Sequence, residues 1–329
     1  MMRRLLWILL LAGVTPLAAQ EGRVHVLLVT GLGGEPADGR AFVDAATQIH
    51  ETARTRWGVA DSSLIFLAER PAEDSARIRG RSTRDEIQSA MLRLSRRVAP
   101  GDVVLVVVIG HGSGEGAESR VNLPGPDPTA AEWSQWLGGF SQQTVVMVVA
   151  ASGSGDFVEQ LSAKDRVVIT ATKSPSERNA SIFASRIARG LSSGDADADK
   201  DGAVSALEAY RFAKTSVARA YEDDKKLLTE HAQLDDNGDK LGSADPGVAP
   251  SLDGALAARI TFQRRAESTD PRVVALVAER RALEAQLAAL RARKATTDST
   301  AYERDLENLL LEIAKRTRAI RLIQQGGTP

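Results

Sequence analysis

The stretch Val103-Val104-Leu105-Val106-Val107-Val108-Ile109-Gly110-His111-Gly112-Ser113-Gly114 decides how this chain folds, together with its counterpart Val145-Val146-Met147-Val148-Val149-Ala150-Ala151-Ser152-Gly153-Ser154-Gly155. Each is an unbroken apolar run, rich in β-branched residues, that stops at small residues and a reactive side chain. β-Branched side chains suit a pleated strand, and a run with no polar alternation must be covered on both faces. Open parallel sheets present their sites at the carboxyl ends of such strands. The two runs therefore predict buried parallel strands with His111 and Ser152 as neighbours just beyond them.

Working outward, strand-like and helix-like segments alternate. Val24 to Thr30 reads as a strand ending in Gly31-Leu32-Gly33-Gly34, and Ala41 to Trp57 has helical spacing of apolar residues. Ser63 to Leu67 is a second strand, and Ser82 or Thr83 caps a helix through Arg97, with Glu86 placed for a capping box if Thr83 is the cap. Arg166 to Thr170 supplies a further strand, and Ala255 to Phe262 is expected as a final edge strand. This alternation predicts an α/β fold with a mainly parallel sheet and helices on both faces. The glycine-rich loop after the first strand lacks GxGxxG spacing, since Pro36 and Ala37 follow it, so no dinucleotide cofactor is expected.

At His111-Gly112-Ser113-Gly114 and Ala151-Ser152-Gly153-Ser154-Gly155 the chain resembles the caspase and legumain group of cysteine peptidases. There one strand ends in His-Gly-Ser or His-Gly-x-Gly and the next in Ala-Cys-x-Ser-Gly. The resemblance covers roughly Arg23 to Phe262 and implies a caspase-like (caspase-haemoglobinase) α/β sandwich over residues 20–265. It implies His111 as general base and puts Ser152 in the position of the nucleophilic cysteine; the chain contains no cysteine at all. The loop Gly31 to Gly34 is expected beside His111, and the loop bearing Lys173, Ser174, Glu177 and Arg178 beside a substrate pocket.

A thiolate can act at some distance from its histidine, whereas a serine hydroxyl attacks only when a base removes its proton during the reaction. Activity would require a direct Ser152 to His111 hydrogen bond and an acid orienting His111. Asp156 and Glu115 are the nearby acids in sequence, either of which is equally a solvated loop charge. Backbone N–H groups of Gly112 and Ser152 would supply oxyanion donors whatever the nucleophile. Ser154 is a second hydroxyl in the loop, and another register would align Ala151 with the cysteine. The expectation is a peptidase homologue with lost or altered proteolysis that binds a peptide or protein partner. The alternatives are an active serine variant using Ser152 and His111, or a calcium-stabilised structural module.

The remaining segments bear on location and ligands. Met1-Met2-Arg3-Arg4, an apolar run Leu5 to Val14 and Pro16-Leu17-Ala18-Ala19 read as a secretory signal over residues 1–19. A secreted or periplasmic protein is therefore expected, with no membrane association after cleavage. A formal net charge of -1, with no basic stretch interleaved with aromatics, excludes an electrostatic case for nucleic acid.

Asp197-Ala198-Asp199-Lys200-Asp201-Gly202-Ala203-Val204-Ser205-Ala206-Leu207-Glu208 follows the EF-hand loop pattern. Asp197, Asp199, Asp201, Ser205 and Glu208 are the expected calcium ligands, hard oxygens for a hard cation. The competing account is an acidic loop capping the next helix. Gly190 to Gly194 ends the preceding helix early, leaving an isolated EF-like loop. Leu234-Asp235-Asp236-Asn237-Gly238-Asp239 repeats the acidic theme without the downstream glutamate, as a turn or as a second or shared calcium site.

After the proline-broken segment Leu241 to Pro250, residues 266–329 change character. Val273, Leu276, Leu283, Leu287 and Leu290, then Leu306, Leu309, Ile313, Ile320 and Ile323, mark two amphipathic helices around Thr296-Thr297-Asp298-Ser299-Thr300. Arg280 and Arg316 interrupt the seam. The hairpin either packs on its own domain or mediates self-association.

Overall fold

The computed structural model describes residues 22–263, 270–293 and 298–324. The signal-like segment 1–19, the boundary at 265 and residues 296–297 of the turn lie outside the described residues. Strands β1 (Val24–Thr30), β2 (Leu64–Ala68), β3 (Gly80–Arg81), β4 (Val103–Gly110), β7 (Thr144–Ala151), β8 (Arg166–Thr170) and β9 (Gln233–Asp235) form one sheet of order β3-β2-β1-β4-β7-β8-β9. Every neighbouring pair is parallel except β8 with β9, so the sheet is mixed and mainly parallel. A small antiparallel pair, β5 (Gly112–Ser113) with β6 (Arg120–Val121), sits beyond the end of β4.

Each central strand divides its side chains between the faces. Leu105, Val107 and Ile109 of β4, with Val146, Val148 and Ala150 of β7, pack against Phe42, Ile49, Phe183, Ile187, Tyr210 and Val217. These last six belong to α1 (Pro36–Thr55), α5 (Phe183–Ser192) and α6 (Ala206–Asp223). On the other face Val104, Val106, Val108, Val145, Met147 and Val149 meet Ile87, Met91, Trp133, Leu137, Phe157 and Leu161. Those lie on α2 (Arg84–Ser95), α3 (Ala130–Leu137) and α4 (Phe157–Leu161). Burial on both sides is why the runs carry no polar residue.

Local signals place the helix starts. Thr83 caps α2 by accepting from the Glu86 N–H, and α3 opens on a reciprocal capping box between Thr129 and Glu132. The first helix begins earlier than its apolar spacing predicts, because Pro36 occupies its first turn, where no N–H is needed. The expected strand at Ala255 to Phe262 does not form. That segment is turns with one isolated bridge from Thr261 to Ser205, and the sheet ends instead on β9. Helices α7 (Pro271–Ala292) and α8 (Ser299–Gln324) make a C-terminal two-helix hairpin packed through Val273, Leu276, Val277, Ile320 and Ile323. Among the described residues no helix is long and apolar enough to cross a membrane.

Candidate functional site

The register of β4 and β7 pairs Gly110 with Ala151, which puts His111 and Ser152 side by side at the carboxyl ends of adjacent parallel strands. The Gly112 N–H donates to Ser152 Oγ at 3.2 Å. Gly112 admits this approach because it lacks a side chain: a Cβ there would lie 2.1 Å from the Ser152 carbonyl oxygen. Gly153 turns the chain out of the strand at φ +61° and donates its N–H to the Glu177 carbonyl at 2.7 Å. Ser152 is only 2 % exposed.

His111 is bonded elsewhere. Its Nε2 lies 3.0 Å from the Gly33 carbonyl and 3.3 Å from Asp38 Oδ2, and its ring meets Phe42 edge to face at 5.2 Å. A carbonyl only accepts, so Nε2 carries the proton in this contact and Nδ1 of the neutral ring keeps its lone pair. No hydrogen bond joins His111 to Ser152 among the described residues.

The acid beside His111 is therefore Asp38, in the first turn of α1, and neither of the acids near in sequence. Asp156 instead accepts from the Gly116 N–H at 2.6 Å, tying the loop after β5 to the start of α4. Spacing offered no route to Asp38; the one signal was the glycine-rich loop after β1, which brings the start of α1 beside β4. Ser154 is fully buried and bonded with Thr172 through backbone and hydroxyl contacts of 2.7 to 3.3 Å. In the loop after β8, Glu177 holds His231 Nδ1 at 2.6 Å, and Arg178 Nε donates to the Pro175 carbonyl.

The acidic loop between α5 and α6 gathers part of its expected ligand set. One oxygen each from Asp197, Asp199 and Glu208 lies within 4.8 Å of the others. Although Asp199 is exposed along one side, partial desolvation of its carboxyl and the nearby charges of Asp201 and Glu208 push it up to about 6. Ser205 and Asp201 are placed otherwise. Ser205 is the N-cap of α6, donating its hydroxyl to Glu208 Oε2 at 2.8 Å and accepting from the Glu208 N–H. Asp201 Oδ2 faces Arg280 of α7 at 3.4 Å, and Arg321 of α8 donates to the Lys200 carbonyl at 3.0 Å. The hairpin thus packs on its own domain through the arginine that interrupts its seam.

A second acidic group, Asp235, Asp239 and Asp253, likewise brings one oxygen each within 4.8 Å. Burial, then the charges of Asp235, Asp236 and Asp239, push Asp253 up to about 6 against the stabilising bond from the Asp236 N–H. In comparisons with known proteins, no protein-family model matches the chain and no curated protein is significantly similar to it.

Proposed function

We propose that this chain is an exported caspase- or legumain-like peptidase homologue with lost or altered proteolysis, which binds a peptide or protein partner where β4 and β7 end. The observation that carries this reading is the pairing at that point: His111 and Ser152 follow adjacent strands, yet each is bonded to backbone rather than to the other. A hydroxyl needs its base within hydrogen-bond reach at the moment of attack. Ser152 is buried, and Gly112, expected to help an oxyanion, donates to the hydroxyl itself. A fluorophosphonate probe followed by mass spectrometry is expected to leave Ser152 unmodified, while Ser152→Cys is expected to react with thiol-directed peptide probes. Peptide cleavage by the wild type that Ser152→Ala abolishes would overturn the reading.

One observation favours the second reading, an active serine variant. Gly33 and Asp38 both engage Nε2, which leaves Nδ1 as the basic nitrogen of an oriented imidazole. Activity in this form would need a Ser152 hydroxyl to His111 Nδ1 hydrogen bond in addition to the Gly112 contact.

Calcium is the ion we assign to the 197–208 loop, in keeping with an all-oxygen donor set and the EF-hand order of its residues. Asp197, Asp199 and Glu208 would hold it, with Asp201 and Ser205 joining if they release Arg280 and the helix cap. Assembly through the C-terminal helices belongs to the same proposal, supported by Leu310 and Leu311, which α8 leaves exposed.

A further inference from the structure

We propose that Asp235, Asn237, Asp239 and Asp253 form a second calcium-type cation site, separate from the loop at 197–208. The buried end of the cluster carries the argument. Asp235 is 1 % exposed; its Oδ1 accepts from the N–H groups of Asn237 and Gly238, but its Oδ2 is buried with no hydrogen-bond partner. A carboxylate oxygen sealed from water with nothing opposite it costs free energy that a cation would recover. The same residue belongs to a group of carboxylates: one oxygen each of Asp235, Asp239 and Asp253 lies within 4.8 Å of the others. Three such groups around one point repel each other unless a positive charge or a proton sits among them.

The surrounding chain is arranged to hold the cluster and not to neutralise it. Asp236 spends both oxygens on backbone, accepting from the Gly254 and Ala257 N–H groups at 2.8 and 2.7 Å, while its own N–H donates to Asp253 Oδ1 at 3.1 Å. Asp236 therefore clasps the 235–239 turn to the 253–257 segment and positions Asp253 without belonging to the donor set.

The turn also repeats the conformation of the first loop, with Asp235 in the place of Asp197. Lys200 and Gly202 have φ of +57° and +91°, and their counterparts Gly238 and Lys240 have +81° and +71°. Position five donates to the side chain of position three in both, Asp201 to Asp199 at 3.0 Å and Asp239 to Asn237 at 2.7 Å. Position seven donates to position five, Ala203 to Asp201 at 2.9 Å and Leu241 to Asp239 at 2.8 Å. The distant glutamate of the first loop is replaced by Asp253, brought in from another segment. Carboxylate and amide oxygens alone select a hard cation, and a turn open at Asn237 and Asp239 leaves room for the higher coordination that calcium takes.

This site does not rest on the peptidase reading, and the test separates it from the first loop. Calcium binding by the full chain is measured by isothermal titration and equilibrium dialysis, alongside far-ultraviolet circular dichroism to verify folding. The wild type is expected to take up two calcium ions per chain, and Asp199→Asn with Glu208→Gln to take up one. Adding Asp239→Ala, an exposed position, or Asp253→Asn to that double variant is expected to weaken the remaining binding at least tenfold. Should the double variant bind no calcium, or bind it unchanged after both Asp239→Ala and Asp253→Asn, the second site is refuted whatever the first loop does. Loss of the first site alone leaves one ion bound and supports the proposal.

Discussion

At Gly112 a hydrogen atom decides whether the site can exist. A methyl group there would collide with the Ser152 carbonyl, so Gly112→Ala must push β5 and the Ser152 loop apart. The expected cost is about 1 to 3 kcal/mol, the range for overpacking a tight contact. Gly194→Ala is the control, with nothing within 4 Å of its added Cβ and no positive φ; it is expected to change stability by less than about 0.5 kcal/mol. Chemical denaturation of both variants checks the contrast. His50 of α1 is a second residue whose surroundings set its charge. Burial against Phe66, then the nearby cations of Arg77, Arg54 and Arg79 against the opposing pull of Glu51, hold its imidazole below its ordinary value of 6.5. A base with a depressed folded pKa contributes stability that is complete above its unfolded value and is lost as pH falls through 6.5 toward the folded value. Melting curves across this window should therefore decline more steeply for the wild type than for His50→Phe. Parallel curves would show that His50 is not responsible.

At the scale of elements, the hairpin of α7 and α8 is joined to the acidic loop by charge. Arg280 is 4 % exposed, faces Asp201 Oδ2, and lies 3.3 Å from Glu284 one turn along α7. Removing one partner of a buried pair leaves the other desolvated, so Arg280→Met is expected to cost up to about 3 kcal/mol without calcium. If calcium occupies the loop, the ion takes over the charge of Asp201 and the penalty should shrink at saturating calcium. An equal penalty with and without calcium would place Asp201 outside the ion's reach. The measurement is a pair of denaturation curves for each protein, in chelator and in calcium.

For the whole molecule, an ion that binds only the folded chain raises stability by mass action, by about 2.7 kcal/mol when its concentration is 100 times Kd. Melting temperature is expected to rise with calcium into the millimolar range, where extracellular sites often operate. Glu208→Gln should remove much of the increment, and the increment is the quantity to read. Glu208 also accepts from the N–H groups of Ala198, Asp199 and Ser205, so its loss weakens the loop and the cap of α6 even in chelator. An increment identical in wild type and Glu208→Gln would remove calcium from the first loop.

The sequence by itself determined the two central strands and the meeting of their ends. Continuous β-branched runs have one low-energy fate in water, burial on both faces, and their glycine-bounded termini are local features. The spacing of Asp197, Asp199 and Glu208 was legible for the same reason, since a turn of that length is closed by its own residues. Tertiary structure alone decided which groups share desolvated space. Asp38 reaches His111 because α1 packs back across β1 and β4, and Arg280 reaches Asp201 because a hairpin far along the chain folds onto the loop. Asp253 joins Asp235 because Asp236 clasps the 253–257 segment to the turn, where the sequence predicts a strand from Ala255 to Phe262. Such pairings come from distant segments whose packing brings them together and excludes water, and no periodicity or spacing within a segment records that.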